Sequence, residues 1–118
     1  MTKRILVIED QADNRLILRD LLTNADFEVI EAENGEAGLA AAAAHKPDLI
    51  LMDIQLPGMD GYEATRRLKA DAMLRHVPVI AVTAHALSGA GQEARAAGCD
   101  GYMLAKVREY LASPAPTR

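Results

Sequence analysis

Two carboxylates stand side by side at Glu9 and Asp10, directly after the apolar run of residues 4–8, and a third, Asp53, follows the apolar run of residues 49–52. Three carboxylates gathered in one pocket repel one another unless a cation sits among them. An all-oxygen set with room for water suits Mg²⁺, or the similar Mn²⁺, better than zinc. Thr83 follows the next apolar run and Lys106 the one after that. Carboxylate, cation, hydroxyl and ammonium together make a phosphoryl-transfer set, in which one carboxylate attacks phosphorus and Thr83 and Lys106 hold its oxygens. Plainer readings stand beside this one. Asp53 would equally serve as a cap or turn aspartate, Glu9 and Asp10 as exposed turn residues, and Thr83 as a strand end. The loop Glu9-Asp10-Gln11-Ala12-Asp13 does exclude one class of ligand. It lacks the glycines that bring bare backbone amides to a nucleotide phosphate, and its charge would repel an anion.

These residues can meet only if the apolar runs are neighbouring strands. Five such runs, at residues 4–8, 27–32, 49–52, 77–82 and 101–104, alternate with helical patterns. That alternation implies βαβ units and a parallel sheet. Leu16, Ile17, Leu18, Leu21 and Leu22 give the first helix its apolar face. A second helix runs from about Asn34 through the alanine tract to Pro47, which forbids continuation. Asp60 followed by Glu63 predicts a capping box for a third helix ending near Ala70, with Pro57 and Gly58 turning the chain before it. Gly98 suits the end of a fourth helix, whose start at Ser88-Gly89-Ala90-Gly91 is weak in helix formers and an expected site of mobility. A short fifth helix, residues 107–112, is stopped by Pro114 and Pro116. The expected fold is α/β: a doubly wound, three-layer, flavodoxin-like arrangement of five parallel strands in order 2-1-3-4-5 with five helices. Strands 1 and 3 are then neighbours, which brings Glu9 and Asp10 beside Asp53.

The 118 residues make one domain, 1–118, with no output domain expected. Half the residues are hydrophobic and a quarter charged, the net charge is −4, and no basic run or Trp is present. This composition argues against a nucleic-acid surface, and no apolar run approaches the roughly 20 residues needed to span a bilayer. A cytoplasmic protein is expected. Cys99 is single, and His45, His76 and His85 lack ligand spacing, so neither type suggests a metal centre.

The chain resembles a response-regulator receiver domain, the phospho-acceptor half of two-component signalling. The resemblance is carried by Glu9-Asp10, by DIQLPGMDG at residues 53–61, by VTA at 82–84 and by AAGCDGY at 96–102. It implies that Asp53 accepts a phosphoryl group from a histidine kinase or histidine phosphotransfer protein. Asp10, Asp53 and the backbone carbonyl of Gln55 would bind the metal, with Glu9 acting through a metal-bound water. Thr83 and the Ala84 backbone would bind the phosphoryl group. Tyr102 would be the aromatic that follows Thr83 inward, switching a face that binds a downstream protein target. A monomer or weak dimer is expected, without catalytic turnover beyond slow loss of its own phosphoryl group.

One departure from the family pattern stands out. Ala105 holds the place where receivers carry the lysine, Lys106 comes one residue late, and Val107 stands where proline would follow. A one-residue slip in a strand points a side chain to the opposite face, so Lys106 is expected to reach Asp53 imperfectly. A receiver that binds partners without phosphate is the alternative. A dehalogenase-type hydrolase fits poorly, because it wants a second aspartate where Gln55 stands and a substrate cap for which there is no room. His85, two residues after Thr83, would overhang the site opposite Gln55.

Overall fold

The computed structural model describes residues 3–54, 56, 58–83 and 101–104. Its strands are β1 (Arg4–Ile8), β2 (Glu28–Ala32), β3 (Leu49–Asp53), β4 (Val79–Thr83) and β5 (Gly101–Leu104). Three helices lie between them, α1 (Ala12–Asn24), α2 (Gly35–His45) and α3 (Gly61–Ala70). All strand pairs are parallel, in the order β2-β1-β3-β4-β5. The flavodoxin-like α/β sheet therefore agrees with the expectation. The fourth and fifth helices, with the weak start at Ser88, lie outside the described residues.

The strands read as unbroken apolar runs because both faces of the sheet are covered. Side chains alternate along each strand. On one face Leu6, Ile8, Ile50, Met52, Val79 and Ala81 pack with Ala42 of α2 and Ala64 and Leu68 of α3. On the other, Ile5, Val7, Leu51 and Val82 pack with Leu18 of α1. Gly38 lets α2 lie close against the first face, since a Cβ there would stand 2.4 Å from Cδ1 of Ile8. No helix among the described residues is long and apolar enough to cross a membrane.

Several expectations shift by a residue or two, each for a local reason. Asp53 is the last residue of β3, not the first of the loop after it. Phe27 is excluded from β2 because its N–H is bonded to the Leu22 carbonyl at the end of α1. Val77 closes a turn onto Leu74, so β4 begins only after Pro78. The apolar face assigned to α1 is too broad. Leu18 is buried and Leu22 packs beside it, but Leu16 is 46% exposed. Residues two positions apart on a helix differ by about 200° around its axis, so Leu16 and Leu18 cannot share a face. The capping box on α3 is half formed. Asp60 accepts the Glu63 N–H at 2.9 Å, but the Glu63 carboxylate turns to Arg66 and Arg67 and is held below the usual carboxylate range by those hydrogen bonds, Arg67 foremost. α2 starts where expected, with Asn34 as its N-cap taking the Ala37 N–H at 2.8 Å.

Candidate functional site

Parallel strands end on the same side of the sheet, and their register decides which loop residues meet. Ile8 is level with Met52, so the residue after each, Glu9 and Asp53, stand side by side at the carboxyl edge. Carboxylate oxygens of Glu9, Asp10 and Asp53 all lie within 4.8 Å of one another. Glu9 is buried, Asp53 partly so and Asp10 exposed, giving a pocket with a dry floor and an open rim.

Both backbone polar atoms of Glu9 are hydrogen-bonded. Its N–H donates to the Ala32 carbonyl at 3.0 Å, carrying the β1–β2 ladder one residue past the strand. Its carbonyl accepts Nη1 of Arg15 at 2.8 Å. The side chain is also engaged, with Oε2 accepting the Gln11 N–H at 3.2 Å and Nδ2 of Asn14 at 3.4 Å. Even so, burial pushes the Glu9 carboxyl above its ordinary pKa. Hydrogen bonds from Gln11 and Asn14 oppose this and the Asp10 charge adds to it. Desolvation wins because a carboxylate at 6% exposure has lost most of its water.

The acceptor side is equally constrained. Asp53 is level with Val82 of β4, and the next residue, Ile54, donates its N–H to the Val82 carbonyl at 3.1 Å. The Ile54 carbonyl in turn accepts the Gly61 N–H at 3.1 Å, folding the β3–α3 loop back on itself. Gly61 has to be glycine. A Cβ there would lie 2.2 Å from the Asp53 carbonyl oxygen and 2.8 Å from the Ile54 Cα, both backbone atoms. Gly58 supplies the turn at φ +76°, a conformation that side chains resist.

Of the other residues singled out in the sequence, Thr83 ends β4 next to the residue paired with Asp53. Tyr102 lies in β5, level with Ala81. Gln55, Ala84, His85 and Lys106 lie outside the described residues, and with them the displaced lysine. Sequence reasoning missed Asn14 and Arg15. Their signal was present but weak: both fall on the first turns of α1, within reach of the acidic pair that precedes it.

As a donor set the three carboxylates fit a hard divalent cation. All ligand atoms are oxygen, they converge from the loop after β1 and the end of β3, and at the most buried of them burial outweighs the hydrogen bonds that oppose it. Zinc would ask for nitrogen or sulfur, and no His or Cys joins the cluster among the described residues.

Comparison with known proteins gives a consistent picture. The model of the response regulator receiver domain matches residues 5–109. The polar-differentiation response regulator DivK of Brucella anthropi is 47% identical over 103 residues, spanning 87% of this chain and 84% of DivK. Among solved structures, the chemotaxis protein CheY4 of Vibrio cholerae superposes with a TM-score of 0.84 at 25% identity, over 88% of this chain and 87% of that one. The receiver domain of a sensor histidine kinase from Pseudomonas aeruginosa superposes with a TM-score of 0.81 at 33% identity, over 94% and 95% of the two chains. That structure has a magnesium ion coordinated in its active-site cleft.

Proposed function

The chain belongs to the response regulator receiver domain family, and from that premise we propose that it is a working phospho-acceptor in a two-component relay, with Asp53 as the accepting residue. The observation that carries this reading is the convergence of Glu9, Asp10 and Asp53 within 4.8 Å at the carboxyl edge of the sheet. A phosphohistidine on a histidine kinase or phosphotransfer protein is the donor. An Asp53 carboxylate oxygen attacks phosphorus, the P–N bond breaks with its electron pair leaving on the imidazole, and Asp53 is left as an acyl phosphate.

Asp10, Asp53 and the Gln55 carbonyl are the proposed direct ligands of Mg²⁺ or Mn²⁺, with Glu9 acting through water. When bound, such an ion supplies neutralising charge where three carboxylates and a phosphoryl group would otherwise repel. Asp53 is presented by a buried strand, Gly61 lets the start of the following helix lie closer to it than any side chain would allow, and Glu9 marks the dry wall of the pocket. Thr83 and the Ala84 backbone take the phosphoryl oxygens, Lys106 contributes as far as its shifted position allows, and Tyr102 follows Thr83. Residues 1–118 form one receiver with five strands and five helices, acting in the cytoplasm on a protein target as a monomer or weak dimer, with no nucleic-acid or membrane contact. Beyond acquiring and slowly losing its own phosphoryl group it turns over no substrate.

Intact mass spectrometry after incubation with acetyl phosphate and Mg²⁺ tests this reading. One phosphoryl group should be gained, and none after Asp53→Asn or chelation of the metal. No gain in a protein shown by circular dichroism to be folded would favour the phosphate-independent binding module, for which the displaced Lys106 is the argument.

A further inference from the structure

Arg15 lies on α1, and its guanidinium reaches two places at once. Nη1 donates to the Glu9 carbonyl at 2.8 Å, and Nε lies 3.4 Å from Oε1 of Glu31 on β2. Glu31 is also held by Arg19, one turn further along α1, through Nε at 2.5 Å to Oε2 and Nη2 at 3.3 Å to Oε1. The Glu9 carbonyl belongs to the same rigid peptide unit as the Asp10 N–H. The preceding unit is held by the Glu9 N–H bond to Ala32. With both planes flanking the Glu9 Cα held, the direction in which Glu9 leaves the chain and the position of the Asp10 Cα, which lies in the second plane, are set before any cation arrives. Arg15 is mostly buried, its side chain 16% exposed, and its charge is offset by Glu31.

The geometry points to Arg15, backed by Glu31, as a positioning residue for cation binding: it clamps the Glu9–Asp10 peptide and so preorganises the acidic pair. This rests on the cation-binding reading given above. Arginine suits the task because its planar fork serves two acceptors in fixed geometry, which a lysine ammonium on a flexible stem does not. Partners that orient metal ligands without touching the metal are commonly worth on the order of ten- to hundredfold in affinity.

The test is a Mn²⁺ titration of the whole protein, with free Mn²⁺ read by electron paramagnetic resonance, at low and high ionic strength. The proteins are the wild type, Arg15→Gln, Glu31→Gln and the double variant, each checked for fold by circular dichroism. The wild type should bind one ion. Arg15→Gln should bind at least roughly tenfold more weakly at both ionic strengths, since lost preorganisation is not screened by salt. Glu31→Gln should lose severalfold, and the double variant no more than Arg15→Gln alone, because both act through one clamp. Glu31→Gln leaves Arg15 in place and serves if Arg15→Gln does not fold. Unchanged or tighter binding in the folded variants would overturn the clamp, and tighter binding only at low salt would show Arg15 acting as a repelling charge. A wild type that binds no Mn²⁺ would instead overturn the cation-binding reading itself.

Discussion

Glu9 is the residue at which fold and function pull in opposite directions. Burial raises its carboxyl pKa, so its charged form is less stable in the folded chain than in the unfolded one. Below the ordinary carboxylate range the group is protonated in both states and costs nothing. As pH rises from there through the raised folded value, the penalty grows and then stays constant up to neutrality. Glu9→Gln keeps an oxygen for the Gln11 and Asn14 donors and removes the charge. In chelator it should stabilise the protein at pH 7, with the gain fading toward pH 4. Denaturant melts at the two pH values check this, and a Gln variant less stable at pH 7 would show that packing governs the site. The carboxylates were visible in the sequence because charge beside an apolar run is conspicuous. Arg15 and Asn14 were not, because an arginine or asparagine on an exposed-looking helical turn has many uses and only the fold reveals which one applies.

At the scale of elements, the junction between β3 and α3 is the tightest part of the site. Replacing a helical glycine by alanine ordinarily gains about 1 kcal/mol from propensity. At Gly61 the added carbon would instead press on the Asp53 and Ile54 backbone. We expect Gly61→Ala to lose about 1–3 kcal/mol in urea melts and to slow phosphorylation by acetyl phosphate, since the strand end carrying Asp53 must give way. A more stable variant would mean that the junction relaxes freely. The strands were readable at this scale because each is a bounded apolar run, and the cap of α3 because Asp60 precedes a helical pattern. What failed were questions of phase and partner. The run of leucines in α1 did not reveal that Leu16 faces away from Leu18, and Glu63 had two nearby arginines competing for its carboxylate. Ion pairs of that exposed kind decide side-chain direction at little gain in stability.

For the whole molecule, a cation bound at the cluster would couple ligand binding to stability, because only the fold brings Asp53 to Glu9 and Asp10. Mg²⁺ at a hundredfold excess over its Kd should stabilise the fold by about 2.7 kcal/mol. For a domain of this size that raises Tm by roughly 10 °C. The shift should disappear in EDTA and shrink sharply in Asp10→Asn. A Tm indifferent to Mg²⁺ in the wild type would argue against a cation among these residues. Net charge should not mimic the effect, since monovalent salt at equal ionic strength screens without binding.

The strand order carries a kinetic corollary. β1 cannot pair with β3 through a tight turn. The backbone at Arg4 and the side chain of Asp48, 44 positions apart, must meet across the whole of α1, β2 and α2. Closing so distant a contact is entropically slow, and sheets built wholly from such crossovers fold late and together. Glu9 and Asp53 sit at the far end of that same pairing. A chain still folding, or newly leaving the ribosome with its third strand unmade, therefore has no acidic pocket to offer. On the function proposed above, it could neither take up a cation there nor be marked by a kinase before it is complete.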